Sequence, residues 1–113
     1  MHMSPAAALW SVRFSSDLGI HRGGVVVIKG GEILGGDSGF TYIGQLRTKR
    51  RQMIANMRVA KYVVGAPPIF GMDNFEVELT AQPDEHQMSF TGFVVGLPQS
   101  PISIDMVKRA ELP

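Results

Sequence analysis

Residues 23–46, GGVVVIKGGEILGGDSGFTYIGQL, decide the fold. Glycine stands at every corner of the stretch, and strand-length apolar or alternating pieces fill the spaces between. Val25 to Lys29 is a β-branched run, Gly30-Gly31 is a hairpin signal of the primed-turn kind, and Glu32 to Leu34 continues the partner strand. Gly35-Gly36-Asp37-Ser38-Gly39 reads as a turn too rich in glycine for regular structure, with Gly36 at positive φ. Phe40, Tyr42 and Gly44 then alternate with Thr41, Ile43 and Gln45, and a glycine inside that strand predicts a bend or a close backbone approach. The pattern is one of short antiparallel strands joined by tight turns and curling towards closure. It contains no plausible catalytic set.

The same period-two alternation extends outward in both directions. Trp10, Val12 and Phe14 share one face of a strand from Leu9 to Ser15, and Asp17 to Gly24 reads as a turn. After the charge run Arg47-Thr48-Lys49-Arg50-Arg51, Met53, Ala55, Met57 and Val59 fit one face of a strand better than a helical stripe. Pro67-Pro68 marks a loop, because proline cannot donate to a central ladder. Phe75, Val77 and Leu79 alternate with Glu76, Glu78 and Thr80; Pro83-Asp84-Glu85 reads as a polar turn. Met88, Phe90, Gly92 and Val94 share the next apolar face, Gly96 to Pro101 reads as a loop with two prolines, and Ile102, Ile104 and Met106 form a last amphipathic strand.

Eight short strands with turn signals roughly every 8–14 residues predict an all-β sandwich or barrel. Closure is favoured because an open sheet would leave two unpaired edges, so the expected architecture is an eight-stranded antiparallel up-and-down β-barrel. Such a barrel is just wide enough to be filled or to hold a small ligand. Trp10, Val12, Phe14, Phe75, Val77, Leu79 and Phe90 are the residues expected to line its interior. Residues 1–8 read as an N-terminal extension, with His2-Met3 in part a cloning remnant, and residues 9–113 as a single barrel domain.

Composition narrows the function classes. The 113 residues contain no cysteine, which excludes disulfides, thiolate metal sites and cysteine nucleophiles. Together with the lack of a signal-peptide pattern or an apolar run of about 18 residues, this predicts a cytoplasmic protein outside the membrane. Eleven basic and ten acidic residues give a net charge of +1, with no global pull towards nucleic acid or anionic lipid. Asp37, Asp84 and Glu85 stand in turns, where aspartate bonds its own backbone; His21 and His86 have no second ligand at metal spacing. Ser38 lacks the strand–turn–helix setting of a nucleophile elbow, and the glycines lack the βαβ unit of a dinucleotide site. No catalytic residue, metal or cofactor is therefore expected. Met53, Met57, Met72, Met88 and Met106 form an adaptable apolar set that suits a core or an irregular cavity.

The chain resembles the GrlR family of small negative regulators of bacterial type III secretion gene expression. The resemblance lies in Leu9-Trp10-Ser11-Val12-Arg13-Phe14, in Gly24-Val25-Val26-Val27-Ile28-Lys29-Gly30-Gly31-Glu32-Ile33, in Gly35-Gly36-Asp37 and in Tyr42-x-Gly44-x-Leu46. It implies a lipocalin-like barrel that often dimerises, and a non-enzymatic protein that sequesters a transcriptional activator. The family's activator-binding loop is acidic and directly follows the Tyr-x-Gly-x-Leu stretch. Here that place holds Arg47, Lys49, Arg50 and Arg51, so the charge is reversed and the partner surface must differ. The expected function is a regulatory binding module, homodimeric, that contacts an acidic protein partner through these four residues. The rival reading is a carrier that holds an apolar molecule such as a fatty acid inside the barrel.

Overall fold

The computed structural model describes residues 7–17 and 19–113, without the side chains of residues 20–22 and 100. Most of the expected N-terminal extension, and the His21 side chain, therefore lie outside the described residues. Eight strands run β1 Ala8–Ser16, β2 Gly19–Lys29, β3 Glu32–Gly36, β4 Phe40–Lys49, β5 Gln52–Lys61, β6 Asn74–Ala81, β7 Gln87–Val94 and β8 Leu97–Ala110. Each pairs antiparallel with the next, and β8 pairs with β1, closing an up-and-down, lipocalin-like barrel. Closure gives every strand a neighbour on both sides, so no strand is an edge strand. Register shifts between Leu9 and Trp10, between Phe14 and Ser15, and between Phe93 and Val94 sharpen the local bend that closure requires.

Alternation places the apolar face of every strand inside. β6 reads Phe75, Val77, Leu79 and Ala81 buried, against Asn74, Glu76, Glu78 and Thr80 exposed. Trp10, Phe14, Phe40, Tyr42 and Phe90 are wholly buried in the same core as Met53, Met57, Met88 and Met106. Each such large side chain contributes roughly 1.5–3 kcal/mol by leaving water. An apolar interior with charged residues outside is the inverse of a membrane-spanning barrel.

Gly30-Gly31 forms the expected two-residue turn, with φ of 60° and 79°. Gly44 is a close-approach site, since a Cβ there would lie 2.0 Å from the Asn56 carbonyl oxygen. Three expectations fail. Asp17–Gly24 is not a turn: β2 begins at Gly19, and Gly23 pairs with Arg13 where a Cβ would meet the Val12 oxygen at 2.0 Å. Gly35 and Gly36 belong to β3, and Gly36 pairs with Val25 and Thr41 instead of adopting positive φ. In each case glycine serves backbone proximity between crowded strands rather than a change of direction. The third is the loop expected from Gly96 to Pro101. β8 starts at Leu97, and its pairing jumps from Leu97–Val94 to Pro101–Phe93, so Pro98 falls in the bulge, where no ladder donor is needed.

Candidate functional sites at the two barrel ends

The connections alternate between two ends. One end carries the β2–β3, β4–β5 and β6–β7 turns; the other carries the β3–β4 and β7–β8 turns and the long β5–β6 connection.

At the first end β4 and β5 stay paired out to Lys49 and Gln52, leaving Arg50 and Arg51 as a two-residue turn. The expected loop or strand edge at 47–51 is thus the tip of a hairpin. Arg50 and Arg51 have φ of 51° and 66°, the left-handed region that primed turns demand and that glycine or asparagine usually fills. Arg47, Lys49, Arg50 and Arg51 are all exposed, and no carboxylate among the described residues pairs with them. The structure thus brings the four predicted contact residues into one cationic tip. The neighbouring β6–β7 turn is held by Asp84, whose Oδ1 accepts from the His86 and Gln87 amides at 2.8 and 3.0 Å. Those two bonds hold its carboxyl below the usual carboxylate range. Glu85 and His86 are exposed in the same turn, and the backbone-bonding role expected of a turn carboxylate is filled there by Asp84.

At the second end Asp37 organises the β3–β4 turn. Its Oδ1 accepts from the Gly39 and Phe40 amides at 2.7 and 2.8 Å, and its Oδ2 accepts from the buried Tyr42 hydroxyl. The Tyr62 hydroxyl donates to the Asp37 carbonyl at 2.9 Å, tying the β5–β6 connection to this turn. Ser38 is exposed and is followed by a strand. That connection then folds back: Ile69 and Met72 exchange backbone bonds of 3.0 and 2.8 Å around Phe70 and Gly71, at φ of 51° and 76°. Ile69 is fully buried, and the Phe70 ring packs edge-on against Phe14 and Phe75 with centroids at 6.1 and 5.9 Å. The loop plugs the barrel mouth with aromatic and aliphatic side chains. Beside the plug lies a cleft of about 460 Å³, walled by Phe70, Met72, Val94, Leu97 and Ile102, with Asp17 at its rim.

The seven residues expected to line the interior are all buried, none more than 6% exposed. They pack in one continuous core with the buried methionines, and none of them lines the end cleft. The plug was missed in the sequence because a proline-rich connection gives no periodic signal; the Ile69-Phe70-Gly71 order, apolar residues beside a glycine, was its one trace. Among the described residues no three His, Cys, Asp or Glu side chains converge as a metal site would require. The class these features define is a closed lipocalin-like barrel with a basic hairpin at one end and an apolar plug at the other. Compared with models of known protein families and with curated protein sequences, the chain gives no match.

Proposed function

We propose that the protein is a non-enzymatic binding module of the GrlR-like regulatory kind, cytoplasmic, that meets an acidic surface of a protein partner such as a transcriptional regulator. The observation that carries this reading is the β4–β5 tip, where Arg47, Lys49, Arg50 and Arg51 stand exposed with no carboxylate partner among the described residues. Protein is favoured over nucleic acid because the tip holds no aromatic side chain for base stacking and the net charge is only +1. A photo-crosslinking residue at Thr48, exposed between the cations, would capture the partner in the native cell for identification by mass spectrometry. The captured peptide is expected to be acidic, and its binding to the purified protein should weaken as salt shortens the Debye length from about 30 to about 3 Å. Reversing the four cations to glutamate should abolish that binding; a variant that keeps it at low and high salt alike would overturn the reading.

The proposed assembly is a homodimer. Its support is an apolar row on the barrel exterior, Leu9, Val27, Leu34 and Ile43, which are consecutive cross-strand partners on β1 to β4. Leu34 and Ile43 are 54% and 49% exposed, which is unusual for side chains in a contiguous apolar row.

A further inference from the structure

We infer that the cleft beside the β5–β6 plug is a binding site for a small single-chain amphiphile with a cationic head, such as a long-chain alkylammonium. The inference stands on the end of the barrel remote from the basic tip and is independent of the partner reading. It also differs from a fatty acid held within the barrel, since the interior is occupied by the core and the cleft lies outside it.

Three observations carry it. The cleft, at about 460 Å³, has the size of a small-molecule site, and its walls are predominantly apolar. Its inner wall is a rigid surface: Phe70 is clamped between Phe14 and Phe75, and the Ile69–Met72 backbone bonds fix the turn that presents it. Met72 adds an unbranched, adaptable side chain suited to an alkyl chain. Finally, Asp17 is the single charged group among the described lining residues, and it is exposed at the rim. An alkyl chain laid along Phe70, Met72 and Leu97, over a floor formed by the buried Val94 and Ile102, would bring its head group to that carboxylate, which follows the Ser16–Ile102 pair. An ammonium there gains a charge-assisted hydrogen bond, whereas a fatty-acid carboxylate meets a like charge.

The test uses decylammonium, decanol and decanoate, each below its micelle concentration, titrated into the full chain at neutral pH by calorimetry and followed by amide chemical shifts. The expected order of affinity is decylammonium, then decanol, then decanoate, with shifts centred on Phe70, Met72 and Ile102. Asp17→Asn should lower decylammonium affinity by about fivefold, to the level of decanol, as expected for one exposed ion pair. Gln99→Trp, at an exposed lining position, should weaken all three ligands, and Met72→Trp provides a second filled variant should the first not fold. Equal or tighter binding of decanoate, no saturable binding of any probe, or a cation preference that survives Asp17→Asn would each overturn the inference.

Discussion

Phe14 joins the core to the plug: it is fully buried on β1, with Tyr42 edge-on at 5.1 Å on one side and Phe70 at 6.1 Å on the other. Phe14→Ala should therefore destabilise by about 3–5 kcal/mol, the usual range for an aromatic removed from a core, measured by denaturant titration. An unchanged unfolding midpoint would contradict the burial. Gly44→Ala should be similarly disruptive for another reason, because its Cβ would meet the Asn56 oxygen and the Met57 Cα at 2.0 and 2.7 Å, both backbone atoms of a paired strand. Asp84 gives a pH prediction. Its carboxyl is held low by the His86 and Gln87 amides, so the stabilisation it contributes is complete above the unfolded carboxylate pKa and fades as pH falls through the lower folded value. A carbon-13 titration of Asp84 should show a midpoint below that of an unstructured aspartate. In Asp84→Asn that acid-side dependence should disappear while the barrel remains folded.

The β4–β5 hairpin shows best what the sequence carried and what it hid. Period-two alternation in Met53, Ala55, Met57 and Val59 was enough to identify β5, since inward residues must be apolar wherever one face is buried. The alternation in β1, β6 and β7 was legible for the same reason, and so was the Gly30-Gly31 turn. Glycines inside strands were not: Gly23 and Gly36 look like turn residues locally, and only the cross-strand neighbour reveals that the space for a side chain is missing. The basic run was visible as charge, but its conformation was hidden because Arg50-Arg51 is a poor primed-turn sequence. Holding non-glycine residues in the left-handed region costs roughly 1 kcal/mol each. Replacing Arg50→Asn together with Arg51→Gly should thus raise stability by about 1 kcal/mol and raise the melting temperature, while partner binding falls. A variant with no gain in stability would show that the native turn is not strained. A variant with full binding would confine the contact to Arg47 and Lys49.

Closure sets what the whole molecule can offer a partner. Every strand has a neighbour on both sides, and unpaired backbone is left only where one strand outruns the next, as β2 does from Gly19 to Gly24 beyond β3, so recognition falls to the ends and to the outer faces. Reversing Arg47, Lys49, Arg50 and Arg51 to glutamate should leave the circular dichroism spectrum unchanged, because exposed substitutions usually shift stability by no more than about 0.5 kcal/mol. The outer face of the barrel is the other available surface, and its polarity is uneven. Around β5 and β6 it carries cross-strand charge, with Arg58 and Glu76 paired at 2.6 Å, whereas across β1 to β4 the in-register row is Leu9, Val27, Leu34 and Ile43. In a two-fold assembly the row of one copy would meet the row of the other, so the apolar side chains of each would be covered by those of its partner. Sedimentation velocity should accordingly find a concentration-dependent dimer. Leu34→Glu combined with Ile43→Glu should give a folded monomer, because the interface would bury like charges opposite one another. A wild-type chain that stays monomeric at every concentration would defeat the dimer, and a double variant that still dimerises would move the interface to another face of the barrel.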